Sequence, residues 1–270
     1  MMIGNEIQDL EKFKAEATKV LESGKFSVHK WESNVSSLES TNMLNPEKIS
    51  GHVWNKSKDT VTIQVQHDDY EKLTKKAILS TLWRIYDPLG IISPTMVEGK
   101  RVYRDSCEEG KNWNAEVSPT LKRQWDNWTK QLRDIEIPRS LVPVGTTKAV
   151  DFHLFVDAST MACSTVAIAV VEQEATKSKG FLESNSRLSK RNTSIPRLEL
   201  VRGQMGANLA RNLTRALKRL PLRLTVIWMD SLVSLYCILY PGKLWKTYCP
   251  TANTLADLGS RGASLHKMET

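Results

Sequence analysis

The sequence predicts an α/β protein whose C-terminal half is a mixed sheet with helices over it, preceded by a smaller α+β and helical region. Three observations carry this. Residues 152–156, 166–171 and 180–188 are strand-like runs in close succession. A long amphipathic helix from about Pro196, a fourth strand in "RLTVIWMD" and a helical "SLVSLYCIL" come next. Strands in series followed by helix, strand and helix bury their apolar faces when helices cover a sheet with antiparallel and parallel pairs. The third observation is a stretch at 138–149 that supplies Pro, Gly and Thr without periodicity, which marks a boundary.

Taken in chain order, Ile7, Leu10, Phe13, Ala17 and Leu21 recur at helical spacing and Gly24 stops the run. "KFSVHKWESN" reads as extended, and "GHVWNKSKDTVTIQVQ" as two strands about a polar turn, with Val61, Ile63 and Val65 alternating on one face. A second helix carries Tyr70, Leu73, Ala77, Ile78, Leu82 and Ile85 and stops at Asp87-Pro88 and Gly90. Ser93-Pro94 and Ser118-Pro119 each open a further helix. In the latter, Leu121, Trp125, Trp128, Leu132 and Ile135 form one face, and Trp and Leu at that spacing read as core. In the long helix of the second half, Val201, Met205, Leu209, Leu213 and Leu217 are the inward stripe.

Composition narrows the function. The 270 residues are 40% hydrophobic, enough for real cores. No apolar run approaches the length of a membrane span, and the N-terminus is charged and helical rather than a secretory signal, so an intracellular, cytoplasmic or nuclear protein is expected. Cys107, Cys163, Cys237 and Cys249 have no C-x-x-C spacing, which argues against a zinc site and a disulfide framework. The net charge of +8 favours a polyanionic partner. From Arg187 to Arg223 there are ten basic residues, namely Arg187, Lys190, Arg191, Arg197, Arg202, Arg211, Arg215, Lys218, Arg219 and Arg223, against the single acid Glu199. That window is either a phosphate-binding face or a solvated helix surface.

Four acids carry the chemistry. Asp157 closes the first strand of the second half in "FHLFVDAST", Glu199 lies in the first turn of the long helix, Asp230 closes the fourth strand, and Asp257 follows in "LADLGSRG". A buried carboxylate is costly unless paired, hydrogen-bonded or bound to metal, so Asp157 is either a turn residue or a ligand; Asp230 likewise suits a cap or turn, Glu199 a helix N-terminus and Asp257 the surface, unless they too are ligands. Two strand ends and a helix start can converge on one sheet edge. An all-oxygen cluster there suits Mg²⁺ or Mn²⁺, and two such ions can activate water and stabilise the leaving oxygen of a phosphodiester.

"SVHKWESN", "WRIYDPLGIISP", "FVDAST", "SIPRLELVRGQMGANLA", "WMDSLVSLYCILYPGKLWKT" and "PTANTLADLGSRG" occur in this order. Over nearly the whole chain this resembles the polyproteins of BEL/Pao long-terminal-repeat retrotransposons, in the region also described as Pao retrotransposon peptidase. The resemblance implies a ribonuclease H-like domain over residues 148–265, a helical connection region over 69–147, and the end of a reverse transcriptase, thumb- or connection-like, over 1–68. It also implies Asp157, Glu199, Asp230 and Asp257 as ligands of Mg²⁺ or Mn²⁺ and as catalytic residues, with an RNA/DNA hybrid or other duplex nucleic acid as partner. Phosphate contacts would come from Arg187, Lys190, Arg191, Arg197, Arg202, Arg211, Arg215, Lys218 and Arg219.

The chain departs from the family pattern in places. It has no Tyr-x-Asp-Asp, so polymerase chemistry is not expected, and neither Asp-Thr-Gly nor Asp-Ser-Gly, so aspartic-peptidase activity is not expected. Only Tyr248 and Cys249 separate Thr247 from Pro250, where the family carries a further helix and strand, so a last crossover is expected to be missing and "LWKTYC" is left to serve as a short strand. Thr254-Leu255 stands where the family has Asn-Pro. Two functions remain open from the sequence: hybrid binding with two-metal hydrolysis of the RNA strand, and a non-catalytic nucleic-acid-binding remnant.

Overall fold

The computed structural model describes residues 7–28, 30–39, 44–49, 51–66, 70–140, 147–231, 244–248 and 254–263. The expected helix in "SLVSLYCIL", together with Cys237 and Cys249, lies outside the described residues apart from Ser231. The chain divides into two compact units, Met1–Gln64 with Asp134–Thr146, and Val65–Arg133 with Thr147–Thr270. No helix among the described residues is long and apolar enough to cross a membrane.

The first unit holds helix α1 (Ile7–Ser23) and a four-stranded antiparallel sheet of β1 (Glu47–Ile49), β2 (His52–Asn55), β3 (Thr60–Ile63) and β4 (Ile135–Pro138). The hairpin predicted from "HVWNKSKDTVTI" is β2–β3, with Trp54 opposite Val61. Strand β4 was not anticipated: Ile135 pairs with Ile63 and Ile137 with Val61. The sequence reading had placed Ile135 on a helix face, but "DIEIP" alternates with period two, which suits an added strand.

In the second unit, α2 (Lys75–Arg84) starts at Thr74, whose hydroxyl accepts from the Ala77 amide. The α3 helix (Ser93–Glu108) and α4 (Pro119–Thr129) both have proline in their first turn, and the Ser118 hydroxyl caps α4. Trp125 and Trp128 are buried, and the Trp128 indole donates to the Thr95 carbonyl of α3 at 2.8 Å. Between α2 and α3, Asp87 accepts from the amides of Ile91 and Ile92 at 2.9 and 2.8 Å, which folds "YDPLG" into a tight loop. Gly90 in this loop has φ +72°, and a Cβ there would stand 1.8 Å from the Ser184 carbonyl oxygen, so only glycine fits.

The five-stranded sheet comprises β5 (Thr147–Ala158), β6 (Ala162–Gln173), β7 (Lys177–Leu188), β8 (Leu222–Met229) and β9 (Leu244–Tyr248), in the order β7-β6-β5-β8-β9. The first three strands are antiparallel neighbours, β8 joins β5 in parallel, and β9 joins β8 in parallel. This is the mixed sheet expected. "LWKTY" is thus a strand, with Leu244 opposite Thr225 and Tyr248 opposite Met229. Helix α5 (Ile195–Ala216) packs on β5, β6 and β8, and α6 (Asp257–Arg261) packs on β5, β6, β7 and α3. Phe152, Leu154 and Val156 of β5 are fully buried. A Cβ at Gly206 would lie 2.6 Å from Val156, so this glycine lets the α5 backbone come close to the sheet. The inward stripe of α5 is Leu198, Arg202, Gly206, Leu209 and Leu213, while Val201 is 40% exposed. Leu209 and Leu213 are thus inward as expected, but toward the start of the helix Leu198, Arg202 and Gly206 take the inward positions in place of Val201 and Met205, and one of them is an arginine.

Candidate functional site

Strands β5 and β8 run in parallel, so Asp157 and Asp230 emerge at the same edge of the sheet, and Glu199, the fifth residue of α5 and so just past the first turn expected for it, is tied to that edge through Ser231. Asp157 is 3% exposed. Its Oδ1 accepts from Arg202 Nη1 at 3.0 Å and its Oδ2 accepts from the Ser260 hydroxyl. Arg202 Nη2 forms an ion pair with Asp230 Oδ1 at 2.6 Å, so Asp157 and Asp230 stand one guanidinium apart. Glu199 accepts from the hydroxyl of Ser231, the residue after Asp230.

The first residue of α6 is Asp257, and α6 is held firmly. Thr95 donates to the Ala263 carbonyl at 2.8 Å, and Ser159 donates to the Ser260 carbonyl at 2.6 Å. The Asp257 carboxylate accepts from Arg261 Nε at 2.5 Å. The four acids predicted from the sequence therefore lie at one end of the sheet, each already held by a neighbouring donor or cation.

Burial pushes the Asp157 carboxyl above its ordinary range; the Ser260 hydroxyl opposes this, the charge of Asp230 adds to it, Arg202 opposes it and Asp257 adds to it. The hydrogen bond to Asp257 raises Arg261 above the usual arginine value. Arg202 itself is 1% exposed. A guanidinium is always charged, and here it donates a hydrogen bond to Asp157 while its contact with Asp230 is an ion pair without hydrogen-bond alignment.

Arg202, expected from the sequence among the phosphate contacts, does not belong to an exposed face. Its position in α5 is turned by about 140° from Arg197, at 100° per residue, and this carries it onto the sheet side. Arg197, Arg211 and Arg215 lie within about 40° of one another on the opposite, exposed side of α5. Arg187 and Lys190 are exposed near the start of α5, and Lys218 and Arg219 are exposed beyond its end. Arg191 is exposed but pairs with Asp105 and Glu108 of α3, at 2.7 Å each. Arg223, at the start of β8, pairs with Asp151 at 2.5 Å and with Glu172 at 3.0 Å, at the sheet end away from the acids.

The chemistry of the donor set is right for a hard divalent ion, but its arrangement is not. Both oxygens of Asp157 are engaged, and a guanidinium fills the space between Asp157 and Asp230. Among the described residues no three His, Cys, Asp or Glu side chains are gathered so as to hold a metal ion. The residues as arranged do not fit Mg²⁺ or Mn²⁺. The sequence reading missed Arg202 as part of this site because a cation on an apolar stripe resembles a surface residue until its partners are placed. The signal available was its inward position four residues after Leu198.

A family model described as a Pao retrotransposon-like RNaseH-like domain matches residues 74–231, more than half of the chain. The chain belongs to this family. The match spans α2 to the end of β8 and includes Asp157, Glu199, Arg202 and Asp230, whereas β9 and α6 with Asp257 lie beyond it. The five-stranded mixed sheet is thus that of a ribonuclease H-like domain. Among solved structures, LC11-RNase H1 in complex with RNA/DNA hybrid is similar at 11% identity and a TM-score of 0.26, covering 40% of this chain and 91% of that one. No curated protein matches the chain.

Proposed function

We propose that this Pao-type ribonuclease H-like domain binds RNA/DNA hybrid duplex at the edge where β5 and β8 end, and that in its present arrangement it does so without cutting. The observation that carries the reading is the juxtaposition of the Asp157–Arg202–Asp230 cluster with exposed Arg187 at the end of β7, Lys190 in the loop that follows and Arg197 at the start of α5. Phosphate contacts need only exposed cations, and these are in place. Cleavage needs carboxylates free to take part, held to within about 0.5 Å of productive geometry, and here they are joined to arginine and serine. Arg211 and Arg215 extend the basic face along α5, about 27 Å from Arg197 to Arg215 at 1.5 Å per residue.

The ancestry that supports this reading is that of a retrotransposon polyprotein, with residues 1–68 from the end of a reverse transcriptase, 69–147 from a connection region and 148–265 from the ribonuclease H-like domain. A second reading, hydrolysis of the RNA strand with Mg²⁺ or Mn²⁺, is favoured by the placement of the four acids at one end of the sheet and opposed by Arg202.

Binding and cleavage are measured together on one sample of the full chain with a labelled hybrid, with Asp157→Asn as control. Salt-sensitive binding without cleavage is the expected result. Absence of binding at low salt overturns the proposal, and robust Mg²⁺-dependent cleavage abolished by Asp157→Asn replaces it with the second reading.

A further inference from the structure

We propose that Arg202 is the resident cation of this edge: its guanidinium holds the place between Asp157 and Asp230 that a divalent ion would need, and removing it converts the pair into a divalent-cation site. The inference rests on the edge described above but not on hybrid binding. Arg202 is 1% exposed and reaches Asp157 at 3.0 Å and Asp230 at 2.6 Å. A buried arginine without its carboxylates is strongly unfavourable, so an ion entering between them must also displace a charge that has nowhere to go. That charge is permanent, since arginine is not deprotonated in proteins, and it is tethered by α5, so it is never diluted away.

The remaining contacts point the same way. Ser260 donates to the second oxygen of Asp157, Ser231 donates to Glu199, and Arg261 donates to Asp257. Each of the four acids thus has a partner supplied by the chain itself. Mg²⁺ gives up its water reluctantly and requires near-octahedral oxygen geometry, so it competes poorly with a cation already seated between the carboxylates. With Arg202 replaced by an uncharged side chain of similar length, the same two carboxylates face each other with no cation between them, which is the charge arrangement that draws a hard divalent ion.

The test is Mn²⁺ binding followed by electron paramagnetic resonance, with thermal unfolding in Mg²⁺ or chelator, on the full chain as wild type, Asp157→Asn, Arg202→Met and the double variant. Wild type and Asp157→Asn are expected to bind the same small amount of Mn²⁺. Arg202→Met is expected to gain one bound Mn²⁺ per chain, lost again in the double variant, and its unfolding midpoint rises by roughly 5–10 °C at saturating Mg²⁺. A wild type that binds one Mn²⁺ and loses it on Asp157→Asn overturns the proposal, as does a folded Arg202→Met that gains none. If Arg202→Met does not fold, the comparison of wild type with Asp157→Asn decides: equal binding supports the resident arginine and a loss refutes it. None of these readouts uses nucleic acid, so failure of hybrid binding leaves them intact.

Discussion

Replacing Arg202 by methionine in the absence of divalent ions probes the cluster through stability. Methionine retains much of the apolar stem and removes only the charged fork. The side chains of Arg202 and Asp157 are 1% and 4% exposed, and that of Asp230 is 16% exposed. Removing one member of such a buried pair leaves an uncompensated charge, which costs about 3–5 kcal/mol. At roughly 2–4 °C per kcal/mol for a unit of this size, the unfolding midpoint falls by about 6–20 °C. Adding Asp157→Asn removes the stranded carboxylate, so the double variant is more stable than the sum of the single losses by about 1–3 kcal/mol. Chemical unfolding followed by circular dichroism in chelator yields all four corners of the cycle. Additive losses, or an Arg202→Met variant within about 1 kcal/mol of wild type, would refute the reasoning, because a fully buried bridging cation permits neither.

The two loop glycines differ in a way that stability measurements resolve. Gly90 and Gly110 have φ +72° and +68°, yet a Cβ at Gly110 meets nothing within 4 Å, whereas at Gly90 it collides with the Ser184 carbonyl. Gly110→Ala is expected to cost about 1–2 kcal/mol for the left-handed backbone, and Gly90→Ala about 1–3 kcal/mol more for the collision; equal losses would contradict the docking of that loop on β7. Burial lowers the His153 pKa below 6.5, and the ring accepts from the Trp228 indole at 3.0 Å, which requires the neutral form. The unfolded chain therefore takes up protons first, and the stability His153 contributes is present above pH 6.5 and declines as pH falls below it. A His153 titration by NMR with its midpoint at or above 6.5 would contradict this. The hydrogen bond from Arg223 lowers the Asp151 pKa, so the pair stabilises the fold above the ordinary carboxylate pKa of 3.8 and the benefit fades as acid protonates Asp151. Arg223→Ala is accordingly expected to be less stable than wild type at neutral pH, with the difference shrinking in acid; a gap independent of pH would rule out the ion pair as its source.

Much of the second sheet was legible because strand and helix periods differ. Runs such as "FHLFV" and "LTVIWM" allow little besides a buried strand, and Pro196 and Pro119 mark helix starts through their missing amide. Asp157, Asp230 and Glu199 could be singled out for the same local reason, since each closes a strand or lies near a helix start, whereas Asp257 was singled out by the family resemblance. What was not legible depends on contacts distant in sequence. Ile135 could extend the α4 stripe or pair with Ile63, and only the partner strand 72 residues earlier decides between them. Arg202 could face phosphate or carboxylate, and its partners lie 45 residues before it and 28 after it. The role of Leu244–Tyr248 likewise depended on parallel pairing with β8.

The central claim is that hybrid is held by the cations between the end of β7 and the start of α5, beside a carboxylate cluster that does not cut. Fluorescence anisotropy of a labelled RNA/DNA hybrid over a salt series, with wild type and the Arg187→Ala/Arg197→Ala double variant, tests it most directly. Each phosphate contact adds about 0.9 to the magnitude of the slope of log Kobs against log salt. The double variant is expected to bind more weakly, with a slope smaller by about two, while the hybrid remains uncut in both samples. A wild type that does not bind at low salt, or a double variant that keeps the full slope, would contradict the account.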